Sequence, residues 1–149
     1  MKKIITLAAM AGGLALAGAA FAEPYVDWST TKGAWEVTTV KVEPSHVDDY
    51  LSGLKKGWVV EQEVSKAHGV IDRYMVLVKL NGQAGANVQM IVHYPSLAML
   101  EPDKARDQAI DKETTAKVSR DDDKKAVAEY DKYRTFVSDE IWTAVDFGK

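Results

Sequence analysis

Two stretches of this 149-residue chain, residues 70–80 and 87–94, are typical of β-strands and are apolar on both faces. The connection between them is rich in turn residues, including Gly82 and Gly85, so the pair predicts a hairpin. An antiparallel sheet with helices on one side and water on the other should instead alternate between apolar and polar residues. On one face stand Tyr74, Val76, Val78 and Leu80 with Val88, Met90, Val92 and Tyr94, and on the other Met75 and Leu77 with Gln89, Ile91 and His93.

Some part of the protein must therefore cover the second face of the sheet. Leaving that face in water would cost several kcal/mol, at about 25 cal/mol per Å² of apolar surface. A second copy of the same sheet is the simplest cover, because most soluble oligomers are symmetric homodimers. The alternative is that the loosely patterned segment 96–118 folds over the face. The sequence favours a homodimer and leaves this alternative open.

The first half of the chain otherwise predicts one strand and one long helix. Residues 23–33 suggest an extended lead-in, and the β-branched and aromatic run 34–42 predicts a strand stopped by Pro44. Apolar residues spaced by three and four predict a helix that begins at Ser45, in a capping-box pattern, and ends near His68.

The second half predicts a helix and a last strand after a poorly patterned region. Residues 96–110 suggest a short helix or two turns, and residues 111–118 are polar without clear periodicity. Ser119 precedes three aspartates, which is a strong signal for a helix start. An apolar stripe predicts that this helix continues to Val137, and residues 141–147 then suit a strand. The element order is β-α-β-β-α-β, which predicts an α+β, ferredoxin-like protomer with an antiparallel sheet and helices on one face.

Three segments carry a resemblance to a known superfamily. These are WEVTTVKVEP from Trp35 to Pro44, the following helix with Tyr50-Leu51 and Leu54-Lys55-Lys56, and Tyr94-Pro95-Ser96-Leu97. In element order and patterning, most of the chain resembles the dimeric α+β barrel superfamily, which includes antibiotic-biosynthesis-type monooxygenases. The resemblance implies a ferredoxin-like protomer whose sheet pairs face to face with its twin and encloses a pocket.

The N-terminus has the three parts of a secretory signal peptide. Lys2 and Lys3 precede the uncharged stretch 4–22, which ends in the small-x-small sequence Ala20-Phe21-Ala22. We expect cleavage after Ala22, a single domain over residues 23–149, and a periplasmic or secreted protein without stable membrane insertion. The alternative is a membrane-spanning helix, although three glycines and many alanines make this stretch a weak anchor.

Composition and motifs exclude several classes of function. The net charge of −3 argues against a nucleic-acid partner, and without cysteine no disulfide can hold the fold. His46, His68 and His93 have no metal-ligand spacing, and the chain has no P-loop or dinucleotide-binding glycine pattern. The sequence therefore predicts neither a metal nor a cofactor.

One histidine and four further residues are candidates for a site. On the second face of the sheet, His93 would look into the cavity of a barrel, where an imidazole could exchange a proton near neutral pH. The alternative for His93 is a hydrogen-bonded interface residue. Trp35 and Trp142 could form an aromatic wall for a flat apolar ligand. Tyr74 and Gln89 complete the candidate ligand-binding set. The alternative for the aromatic residues is packing in the core.

Three functions remain open at this point. The first is an exported homodimer that binds a small apolar or aromatic ligand. The second is a cofactor-independent enzyme, similar to a monooxygenase or isomerase, in which His93 acts as acid or base. The third is a non-catalytic scaffold protein with a packed barrel.

Overall fold

The computed structural model describes residues 23–81 and 85–148. Residues 1–22, and with them the expected signal peptide and its cleavage after Ala22, lie outside the described residues. So do residues 82–84 in the loop of the predicted hairpin. Among the helices of the described ranges, none is both long and apolar enough to cross a membrane.

The chain forms a four-stranded antiparallel sheet with helices packed on one face. In chain order the elements are β1 (Ser29–Thr30), β2 (Ala34–Val42), α1 (Val47–Lys56), α2 (Trp58–Ala67), β3 (Arg73–Val78), β4 (Val88–Tyr94), α3 (Lys104–Lys117), α4 (Arg120–Tyr130), β5 (Arg134–Trp142) and β6 (Val145–Asp146). The large sheet has the order β3-β4-β2-β5, and β1 pairs with β6 in a separate two-stranded ribbon. Because the first and third long strands are central and the second and fourth lie at the edges, this is the ferredoxin-like arrangement, as predicted.

The core lies between the sheet and its helices. Alternate residues of β2 and β4 point to this side, which places Val40 and Val88 under α1 with less than 2% of their surface exposed. Tyr50 of α1 is fully buried in the same cluster and meets Tyr130 of α4 edge to face, with ring centroids 5.3 Å apart. The helix side of the sheet is therefore a packed interior that contains residues from both halves of the chain.

The predicted long helix over residues 45–68 is divided into two helices. A 3₁₀ turn at Pro44–His46 precedes α1, and Gly57, with φ −116° and ψ −82°, separates α1 from α2. The predicted Ser45 cap is wrong, because α1 begins after His46 and no side chain caps it. Gly57 leaves the helical region of backbone space, and glycine is the residue that does so at least cost.

The region around residues 96–118 is more helical than the sequence suggested. A 3₁₀ turn at Leu97–Leu100 leads into the 14-residue α3, whose start is capped by Asp103 accepting hydrogen bonds from two backbone N–H groups. Ile110 of α3 packs against the cluster of Val70, Ile71 and Val92 on the helix side of the sheet. This segment therefore does not cover the opposite face, and that alternative is wrong.

The end of the second predicted helix is also corrected. Ser119 caps α4 through a 3.1 Å hydrogen bond from Asp122 N–H, as expected, but α4 ends at Tyr130. Residues 134–142, which include the supposed helical position Val137, form β5, and the strand predicted at 141–147 is only the end of β5 followed by β6. A β-bulge beside Thr39 and Val40 interrupts the two-residue alternation in β5, so the sequence pattern there is not that of a regular strand.

Candidate functional site

The face of the large sheet opposite the helices, called the open face below, carries an ordered array of side chains. Directly paired residues of neighbouring strands share a face and lie side by side. In the order β3-β4-β2-β5, three rows cross this face: Arg73, His93, Trp35 and Trp142; then Met75, Ile91, Val37 and Glu140; then Leu77, Gln89, Thr39 and Ser138. Neither hydrophobic core of the described residues includes a member of these rows.

The first row, called the aromatic row below, brings together a cation, an imidazole and two indoles. The rings of Trp35 and His93 are tilted by 43° with centroids 4.3 Å apart, and the Arg73 guanidinium lies 5.7 Å from the Trp35 ring centroid. Trp142 is paired with Trp35 on the other side and remains 56% exposed. A flat ligand could therefore contact a wide aromatic surface beside a cation.

His93 is oriented within this row by an acidic neighbour. Its Nδ1 lies 2.6 Å from Oδ1 of Asp72, and only 15% of its side chain is exposed. Because a carboxylate only accepts hydrogen bonds, Nδ1 donates, and a neutral ring keeps its lone pair on Nε2. Nε2 faces Gly33. If residue 33 had a side chain, its Cβ would lie 3.1 Å from Nε2. The imidazole therefore sits between Gly33 and the Trp35 ring.

Comparison with known proteins gives a fold likeness and no named family. No protein-family profile and no curated protein sequence matches the chain. A solved structure similar to it is that of a dimeric protein of unknown function and ferredoxin-like fold from Bacteroides fragilis NCTC 9343. The two are 14% identical, with 75% of this chain and 94% of that chain covered and a TM-score of 0.39.

The structure brings three of the five candidate residues together. Trp35, His93 and Trp142 are neighbours in the aromatic row. Gln89 lies on the same face two rows away, where it donates to Thr39 Oγ1 at 3.3 Å and lines a surface cavity of 360 Å³.

Tyr74 is on the other side of the sheet from these four residues. Its ring meets Trp58 of α2 edge to face at 5.6 Å, and its hydroxyl donates to Glu63. That hydrogen bond, followed by desolvation and the charge of Glu63, raises the pKa of Tyr74. Tyr74 therefore belongs to the packing between helix and sheet and takes no part in the aromatic row.

Sequence reasoning missed Arg73 and Asp72, which complete the constellation. Arg73 continues the alternation of Met75 and Leu77 toward the start of β3, so it faces the same side of the sheet. Asp72 directly precedes the strand, and its backbone N–H donates to the His93 carbonyl at 3.1 Å. The alternation was visible in the sequence, but the register that sets Arg73 and Asp72 beside His93 was not.

Proposed function

We propose that this protein is an exported homodimer that binds a small apolar or aromatic molecule between two facing sheets. The aromatic row carries this proposal, because it gives a flat molecule an indole surface and a cation on a face that no described helix covers. In this dimer the open faces of two copies pack against each other, and the aromatic rows line the enclosed space.

The composition of the open face supports pairing with a second copy. Its central row carries Met75, Ile91 and Val37, and Leu77 in the third row is 47% exposed. Such a continuous apolar surface is typical of an interaction site. Segment 96–118, the alternative cover that the sequence left open, packs on the helix side through Met99 and Ile110.

Export is part of the proposal and rests on the sequence of residues 1–22 alone. The basic start, the uncharged middle and the exit at Ala20-Phe21-Ala22 are the features that signal peptidase requires. The absence of cysteine is compatible with an oxidising compartment because no free thiol is exposed to oxidation there.

A second candidate function is favoured by the pairing of His93 with Asp72. An imidazole oriented by a carboxylate is a common general base, and a cofactor-independent enzyme of the monooxygenase or isomerase kind could use it on a bound substrate. In that case Trp35 and Trp142 would hold the substrate beside Nε2. The binding protein remains the first candidate because it requires only the surface and the cation.

Native mass spectrometry of the purified protein, combined with a dye titration, tests this function. We expect a dimer, and we expect 8-anilinonaphthalene-1-sulfonate, which joins an aromatic surface to an anion, to gain fluorescence on binding. Trp142→Ala and Arg73→Gln should each weaken dye binding by about tenfold, as expected for loss of an aromatic contact or a charge-assisted hydrogen bond. Trp28→Ala, outside the aromatic row, serves as the matched control.

The outcomes separate the three functions. A dimer that binds no dye would support a scaffold protein and contradict the ligand-binding proposal. A monomer would contradict the enclosed site altogether. If a turnover assay on a molecule retained from the purification shows activity that His93→Ala abolishes, while the variant still dimerises and still binds the dye, the enzyme is the correct function.

A further inference from the structure

A second cavity lies on the opposite side of the sheet, between α2 and the strands. Its volume is 220 Å³, which is much larger than a single water molecule requires. Glu36 and Thr38 of β2 and Tyr94 of β4 form the sheet side, and Glu61, Gln62 and Ser65 of α2 form the opposite wall. We call this space the helix-side cavity.

The carboxylates around the helix-side cavity are not neutralised by cations. Of the described residues that line it, none is a lysine, an arginine or a histidine. Glu36 accepts a 2.5 Å hydrogen bond from the Tyr94 hydroxyl, and Asp139 on the neighbouring strand accepts one of 3.0 Å from Thr38. Within the described ranges, neither of these acids nor Glu61 takes part in an ion pair.

Titration behaviour agrees with an excess of negative charge at this place. Glu61 keeps a solvent-exposed surface, yet desolvation, followed by repulsion from Asp123 and Glu36, raises the pKa of its carboxyl. Burial, the hydrogen bond to Glu36 and the nearby charges of Asp139 and Glu61 raise the pKa of Tyr94 well above its ordinary value. The acids of three different elements therefore act on the same small volume.

Gln62 provides an independent indication that this space receives a ligand. It is only 8% exposed, lines the cavity, and has no side-chain hydrogen bond to any described residue. A glutamine in the interior usually bonds other protein groups. The amide of Gln62 instead keeps contact with solvent, because Thr114 Oγ1 is the one side-chain polar atom among the described residues that is both buried and unpartnered. Gln62 thus offers a free carbonyl oxygen and a free amide group to a molecule in the cavity.

We propose that the helix-side cavity binds a small organic ammonium compound, with its positive group between Glu36, Glu61 and Gln62. An ammonium donates up to three hydrogen bonds and requires the acceptors that these three side chains supply. Trp58 supplies an aromatic wall that attracts cations, and Met90 and Val92 supply apolar contacts for an attached carbon group. A bare metal ion fits less well, because no group of three acidic or histidine side chains among the described residues is close enough to hold one.

Titration with benzylammonium chloride, followed by two-dimensional amide NMR of the purified protein, tests the proposal. We expect saturable shifts confined to residues that line the helix-side cavity. Glu36→Gln and Glu61→Gln should each weaken binding by about tenfold or more, since each removes a charged acceptor. Gln62→Leu should also weaken binding by several-fold, because it removes an uncharged carbonyl acceptor.

Matched controls distinguish a built site from a general attraction of cations to an acidic protein. Glu63→Gln removes the same charge from the same helix, but Glu63 bonds Tyr74 outside the cavity and this variant should bind like the unmodified protein. Benzyl alcohol, which has the ring without the charge, should bind at least tenfold more weakly. Equal weakening by Glu63→Gln, or absence of saturable shifts with a cavity that holds only water, would overturn the proposal.

Discussion

Replacing Ile91 by lysine is the sharpest test of the proposed pairing of open faces. Ile91 lies in the central row between Met75 and Val37, so in a symmetric sandwich each copy's Ile91 is buried by its partner. Burial of a whole isoleucine side chain contributes about 1.5–3 kcal/mol. Part of Ile91 is already shielded by its own sheet, so the substitution removes about 2 kcal/mol of interface burial from the two copies together. Two buried lysine ammonium groups add at least a similar penalty. The total of about 4 kcal/mol corresponds to a roughly thousandfold weaker dimer.

Sedimentation equilibrium over a wide concentration range measures this effect directly. Ile141→Lys is the matched control, because Ile141 is 55% exposed in the same sheet but is paired with Glu36 and faces the helix side. Leu77→Lys, on the edge strand of the open face, should also weaken the dimer and covers the case in which Ile91→Lys fails to fold. If both open-face variants dimerise as strongly as the unmodified protein, or if that protein is monomeric throughout, the covered face has been assigned wrongly.

Two further predictions concern the helix side of the sheet. Gly53→Ala should lower the free energy of unfolding, measured in urea, by about 1–2 kcal/mol, because the new Cβ would lie 1.8 Å from the Tyr130 hydroxyl. This loss should appear although alanine favours helices over glycine. The control is Ser52→Ala at the exposed neighbouring position, which should not be destabilising. Glu61→Gln should raise the free energy of unfolding at pH 7. Because the pKa of Glu61 is raised in the folded state, its ionised carboxylate opposes folding. The stability gained by the variant should therefore shrink as the pH falls through the raised pKa, and it should vanish below the ordinary value of 4.5. A gain that persists at pH 3 would contradict this reasoning.

The first three long strands could be predicted because they are runs of β-branched and aromatic residues bounded by turn residues. β2 and β4 were located almost to the residue, and the β-α-β-β-α-β order was enough to give the sheet topology. β5 was missed because its bulge places Val137 out of phase and because Tyr133 and Val137 happen to continue the helical spacing of α4. Only the first half of α3 fell within the short helix or turns suggested for residues 96–110. Its second half was not predicted, because Ile110 is the only large apolar residue of α3 and one residue makes no stripe.

The candidate site was predicted as far as residue types and faces could take it. His93 was placed on the second face of the sheet, and the two tryptophans were proposed as an aromatic wall. That all three join in one row depends on the register between three strands, which no local pattern fixes. The helix-side cavity was not predicted at all. Glu36 is a charged residue in a largely apolar strand, and Gln62 is a polar residue on the buried side of α2, so each stands out in the sequence. That they line the same cavity follows only from the packing of α2 on the sheet.

The two proposed sites are built from neighbouring residues of the same strands. Successive side chains of a strand point to opposite faces, so Trp35 belongs to the aromatic row while Glu36 lines the helix-side cavity, and His93 and Tyr94 divide in the same way. The sheet backbone therefore separates two ligand environments, one aromatic with a cation and one acidic. Because the side chains do not share a face, Trp35→Ala should affect only the dye and Glu36→Gln only the ammonium probe. An effect of both substitutions on both probes would mean that they act through the sheet itself, and neither site could then be assigned from its variants.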